Sequence, residues 1–180
     1  MTTIFTVGHS SRTIEAFVSL LKQADIECLV DVRANPASRR HPQFARIALE
    51  PSLSKAGIRY VWEGKALGGR RKFAKDSPHA ALKEPGFRAY ADHMGTEEFQ
   101  EGVARLVVLG RATRAAIMCA ERLPSECHRA FISDYLVAQG EEVTHLLEAG
   151  AIENHCLNTF ARRCGGGLIY DSGTQGQLKL

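Results

Sequence analysis

The chain has 180 residues, 23 Lys+Arg against 20 Asp+Glu, and a formal net charge of +3. With 44% apolar and 24% charged residues, 16 glycines, 6 prolines and 5 cysteines, its composition excludes a disordered, collagen-like or disulfide-scaffold protein. One domain is expected, burying roughly 70% of its extended surface.

The opening residues have neither a basic leader nor an unbroken apolar block. No stretch approaches the roughly 18 apolar residues of a membrane span. A cytoplasmic protein is therefore expected, without membrane association. An odd number of cysteines fits a reducing compartment.

Thr3–His9 is β-rich and stops at Gly8-His9-Ser10. Ile14, Phe17, Val18, Leu20, Leu21 and Ala24 then recur at helical spacing, with Thr13 as N-cap and Glu15 in the first turn. Cys28–Arg33 is apolar until Asp31, as in a strand covered on both faces. A short helix is expected over Ile47–Ala56, ended by Gly57, and a strand over Ile58–Trp62. Gly64–Pro85 has few apolar anchors, and a loop of that length is expected to be a functional lid or disordered. Phe87–Gly110 reads as helix broken at Gly95, and Ala115–Glu121 as a buried strand. A helix introduced by Pro124-Ser125 and closed by Gly140 precedes a fifth strand, Glu141–Leu147. From Ile152 the pattern loosens into a turn, a short strand and a free end.

Strands alternating with helices predict a single α/β domain: a mostly parallel sheet of about five strands with helices on both faces. Residues 1–150 form its core, with a basic loop at 64–85. Residues 151–180 are expected as a C-terminal extension packed on it.

Parallel sheets place ligands beyond the C-terminal ends of their strands. Those ends carry His9 and Ser10, Asp31 and Arg33, Trp62, Cys119 and Glu121, and His145. The charge agrees: Arg33 to Lys75 contains eleven Lys/Arg against Glu50 and Glu63, so the remainder carries −6. Such a basic surface focuses anions.

Cys127-His128-Arg129 reads as the first turn of the helix capped by Ser125. There the dipole and free amides lower a thiol pKa or cradle a phosphate. Cys119 with Glu121 faces the same rim. Candidate catalytic groups are thus Cys119, Cys127, Glu121, His9 and Asp31; candidate anion ligands are Ser10, Arg33, Arg39, Arg70, His128 and Arg129. Tyr60 and Trp62 are candidate stacking surfaces beside Phe44 and Phe73. The eight-residue spacing of Cys119 and Cys127 matches no tight zinc pair, so no metal and no cofactor is expected. A cysteine-phosphatase loop is absent, since Ser125 and Ser133 stand where it needs arginine. Dinucleotide and Walker signatures are absent too.

Asp31-Val32-Arg33 resembles the second-strand end of a rhodanese-type sulfurtransferase, without the accompanying cysteine loop. A longer resemblance runs through Thr6-Val7-Gly8-His9-Ser10, Leu29-Val30-Asp31-Val32-Arg33, Pro36, Ser38-Arg39 and Pro42-Gln43-Phe44. It continues through Gly57-Ile58-Arg59-Tyr60, Leu67-Gly68-Gly69-Arg70, Phe87-Arg88-Ala89-Tyr90-Ala91, Met118-Cys119-Ala120-Glu121 and Cys127-His128-Arg129. On these motifs the chain is identified as a member of the DUF488 family. The resemblance implies a compact α/β fold and a shared polar site, and assigns no reaction.

The expected function is an enzyme acting on a nucleotide, a modified base or a nucleic-acid end, through an arginine-rich anion site and a Cys/Glu pair. The alternatives are a non-catalytic nucleotide or nucleic-acid binding module and a protein-interaction subunit. The expected partner is an anionic small molecule or nucleic acid; oligomeric state is left open.

Overall fold

The computed structural model describes residues 1–72 and 74–171, so Phe73 and the chain after Asp171 lie outside the description. Alternation in the strands builds two cores on opposite faces of one sheet. In β1 (Thr3–Gly8), Ile4 points to one core while Phe5 and Val7 point to the other. Strands β2 (Cys28–Asp31) and β4 (Ala115–Cys119) divide likewise: Cys28, Val30, Ile117 and Cys119 on the first face, Leu29, Ala116 and Met118 on the second. This two-sided burial is why these strands read as continuous apolar runs.

The six-stranded sheet has the order β3-β2-β4-β1-β5-β6, with β3 at Arg59–Trp62, β5 at Glu142–Glu148 and β6 at Ala151–Asn154. All neighbours are parallel except β5 and β6. A single α/β domain with a mostly parallel sheet is the result. Helices α1 (Ile14–Gln23) and α2 (Arg46–Lys55) cover the second face through Phe17, Leu21, Leu49 and Leu53. Helices α3 (Gly64–Leu67), α4 (Pro85–Met94), α5 (Glu97–Ala112) and α6 (Arg129–Ala138) cover the first. Thr13 caps α1 by accepting from Ala16 N. Thr96 caps α5 in the same way, accepting from Phe99 N, so the expected break falls at Gly95-Thr96.

Two expectations need correction. The segment 64–85 is better anchored than its composition suggested: it contains α3, and Ala66, Leu67, His79 and Leu82 are buried. The helix expected after Pro124 is split. A short 3-10 turn, Pro124–Glu126, is followed by Cys127 in extended conformation (φ −148°, ψ 169°), and α6 begins only at Arg129 with His128 as N-cap. Cys127 therefore precedes the helix rather than occupying its first turn.

Beyond β5, β6 turns back antiparallel, and β7 (Ala161–Cys164) and β8 (Gly167–Tyr170) form a separate hairpin. Leu168 and Tyr170 of that hairpin are buried in the first core. Among the described residues no helix is long and apolar enough to cross a membrane.

Candidate functional site

Adjacency of β2, β4 and β1 brings three strand ends to one place. Gly8 lies beside Cys119, and Asp31 beside Met118. The approach is close, because a Cβ on Gly8 would sit 1.8 Å from the Glu121 carbonyl oxygen. Above these ends opens a cavity of about 320 Å³ lined by His9, Arg33, Arg70, Cys119 and His128, with Asn35, Ser38, His41 and Gly69 on its walls. That volume sits at the lower end of small-molecule sites, roughly 300–1,000 Å³.

Arg33 is held by Asp31, which is fully buried. Its Nε and Nη2 donate to the two carboxylate oxygens at 2.8 and 2.6 Å, and Tyr60 OH donates to Oδ2 at 2.7 Å. Burial works against the guanidinium, but the hydrogen bonds and charge of Asp31 outweigh it and raise the Arg33 pKa. Asp31 is thus saturated as an orienter, and Arg33 Nη1 remains toward the cavity, 3.4 Å from His9 Nε2. Tyr60 is committed to Asp31, while Trp62 donates Nε1–H to Arg33 O at 3.0 Å. Neither ring lines the cavity.

His9 Nδ1 donates to its neighbour's carbonyl, Ser10 O, at 2.9 Å, and its ring stacks on Phe44 with centroids 4.3 Å apart. Burial, with Arg33 and His41 nearby, pulls its pKa down to about 4, so the ring is neutral at pH 7. Ser10 turns away with φ +49° and lines a different surface depression with Arg12 and Arg122.

The second half of the site is a thiol pair. Cys119 Sγ, Cys127 Sγ and a ring nitrogen of His128 lie within 4.8 Å of one another, all three residues buried. His128 Nε2 donates to Val32 O at 2.9 Å. A carbonyl only accepts, so the neutral ring presents the lone pair of Nδ1 to Cys119 Sγ, 3.8 Å away. Burial keeps His128 neutral by lowering its pKa. Arg129 is 1% exposed, and among the described residues no carboxylate pairs with it. Its Nε donates to Cys127 Sγ at 3.2 Å and its backbone N to the same sulfur at 3.4 Å.

A buried guanidinium cannot shed its proton, so the sulfurs are where compensating negative charge can form. The Cys127 thiol, the Arg129 charge and the Ala120 and Glu121 amides hold Cys119 down to about 7 against burial. Donating to Cys119, together with burial, pushes Cys127 up. Cys119 is the more acidic member of the pair and the one that lines the cavity. A tetrahedral zinc would draw such sulfur and nitrogen atoms to roughly 3.5–3.8 Å of one another. Here the guanidinium already supplies the positive charge beside Cys127.

Of the expected site residues, the fold therefore gathers His9, Arg33, Arg70, Cys119, Cys127 and His128, with Asp31 behind Arg33. Arg129 serves the thiols and not the cavity, because its Nη2 donates to Glu121 O and Arg122 O. Glu121 and Arg39 are exposed and line no part of the cavity. Gly69 is an addition: a Cβ there would lie 2.6 Å from His128 Nδ1. Its signal was the glycine pair in an otherwise basic loop, legible as close backbone approach.

A model of the family described as "Domain of unknown function DUF488" matches residues 13–136. The chain belongs to the DUF488 family. No curated protein and no solved structure matches it. Within this DUF488 chain the matched segment carries Arg33, Cys119, Cys127 and His128, whereas His9 stands before it.

Substituting Gly69 tests the roof of the site. Since Val32 O fixes the far side of the His128 ring, Gly69→Ala displaces either ring or loop. The expected result is at least a severalfold slower alkylation of Cys119 at pH 7, for about 1–2 kcal/mol of stability. An unchanged alkylation rate would show that the contact does not govern the thiol.

Proposed function

We propose that this DUF488 protein is a thiol-dependent enzyme whose substrate is anionic: a nucleotide, a modified base or a nucleic-acid end. One observation carries the reading. A buried arginine that pairs with no carboxylate among the described residues lies against a cysteine pair, and the pair opens through Cys119 into an arginine-lined cavity. Arg33, pre-oriented by Asp31, and exposed Arg70 hold the anion. His128 Nδ1, rather than Glu121, faces the reacting sulfur.

The chemistry is nucleophilic displacement at a glycosidic or thio centre. His128 Nδ1 takes the Cys119 proton, and Cys119 Sγ forms a bond to the electrophilic carbon or sulfur. The bond to the leaving group breaks with its electron pair, and that group receives the proton from His128. Water or an acceptor substrate then displaces the enzyme sulfur. Neutral His9, stacked on Phe44 and within reach of Arg33 Nη1, shapes the wall.

The test is the pH dependence of alkylation at each cysteine of the native protein, read by mass spectrometry, with and without inorganic phosphate or mixed nucleotides. Cys119 is expected to react with a midpoint near 7 and to be protected by the anions. Cys28, fully buried with its pKa raised by burial, is expected to stay inert. A Cys119 that remains inert below pH 8 sinks the thiol mechanism. Salt-dependent nucleotide binding that survives Cys119→Ser, without turnover, would point to the binding module instead.

A further inference from the structure

The side of Arg129 away from the sulfurs leads into a second polar cluster. Its Nη1 donates to Thr6 Oγ1 at 3.3 Å. Thr6 Oγ1 is 2.7 Å from His145 Nδ1, and His145 Nε2 is 2.9 Å from His155 Nδ1. His155 Nε2 is 2.9 Å from Asp134 Oδ1, which also accepts from Asn158 N at 2.9 Å. Asp134 Oδ2 accepts from Tyr170 OH at 2.8 Å. Arg129, Thr6, His145 and Asp134 are each at most 2% exposed.

With one ring hydrogen on each imidazole, the chain has a single polarity. Arginine only donates, so Thr6 accepts from it and spends its one proton on His145 Nδ1. His145 then carries its hydrogen on Nε2 and donates to His155 Nδ1. His155 in turn donates from Nε2 to the carboxylate. A buried cation and a buried anion are thus joined through three side chains, each of which gives one hydrogen bond and takes one.

We infer that Thr6, His145, His155 and Asp134 are positioning residues for the thiol pair, a chain of fixed polarity that anchors the Arg129 guanidinium against Cys127 Sγ. The inference rests on the reading of Cys119 as the reacting thiol. Without the chain, Arg129 would keep only its carbonyl and sulfur partners, and the sulfurs would lose an oriented counter-charge. Fully satisfied buried networks fix one geometry, whereas interrupted ones do not.

Paired substitutions separate positioning from mere packing. Glutamine at 155 can accept through its carbonyl and donate through its amide, so His155→Gln preserves the polarity that His155→Leu breaks. Thr6→Ser and Thr6→Val form the same contrast on the other side. The breaking variants are expected to raise the Cys119 alkylation midpoint by about one pH unit, about tenfold slower reaction at pH 6. The preserving variants should stay within about a third of a unit of the wild type. Equal midpoints in both members of each pair overturn the inference, whatever happens to the melting temperature. Thr6→Val matches threonine in volume and keeps the test decisive if His155→Leu does not fold. An ordinary thiol midpoint in the wild-type protein overturns the enzyme reading itself, and the chain's role falls with it.

Discussion

Replacing Arg129 with methionine is expected to raise the Cys119 midpoint by about 1–3 pH units and to cost about 2–4 kcal/mol of stability. Both effects follow from the same burial. Methionine fills much of the volume, but Thr6 Oγ1 and the carbonyls of Glu121 and Arg122 lose their donor. Near Cys119 the positive charge disappears while the low-dielectric surroundings remain. A thiolate there is then disfavoured by burial with only Cys127 and two amides to offset it. Alkylation profiles and urea unfolding of the same variant read the two quantities separately. A variant that unfolds more easily but keeps a midpoint near 7 would show that the guanidinium is structural and not the counter-ion of the thiol.

The second large effect is on acid stability. His9 and His145 are held from the ordinary value of 6.5 down to about 4, in each case chiefly by burial. Between those values the unfolded chain binds protons that the folded protein refuses. The contribution of these two rings is therefore full above pH 6.5, falls as the pH drops from 6.5 toward 4, and levels off below. Each ring contributes about 3 kcal/mol to that loss, and His79, His93 and His128, also lowered by burial, add in the same direction. The urea midpoint should decline steeply over this window, and His145→Gln should remove a comparable share of the decline. A midpoint flat from pH 7 to pH 4 would contradict the neutral, buried state of both rings.

The sheet was legible because its strands bury both faces, which leaves apolar runs between helical stripes that no other architecture explains as simply. The rim was legible for a related reason: Asp31, Arg33, Cys119 and His9 interrupt those runs at their C-terminal ends. What the sequence did not disclose was partner choice. Nothing local says that Arg129 turns inward to the sulfurs while Arg70 stays outside, since one arginine beside a cysteine resembles another. The pairing of Cys119 with His128 needed the 3-10 turn after Pro124, which places Cys127 ahead of the helix. Thr6 and His145 did leave a trace, as single polar residues inside buried strands that are neighbours in register. Their link to Asp134 depends on His155, and the irregular chain after Ile152 gave no periodicity from which to place it.

The order of strands also bears on where this protein can be divided. The family match spans residues 13–136, yet β1 precedes it and inserts between β4 and β5 in the sheet. Cutting at those limits would remove β1 and β5 alike, together with Thr6 and His9, and leave one edge of β4 unpaired. It would also keep Asp134 and discard His155, Asn158 and Tyr170, whose donors satisfy its carboxylate. The matched segment is therefore smaller than the six-stranded sheet, and the hydrogen bonds of Asp134 reach beyond it as far as β8.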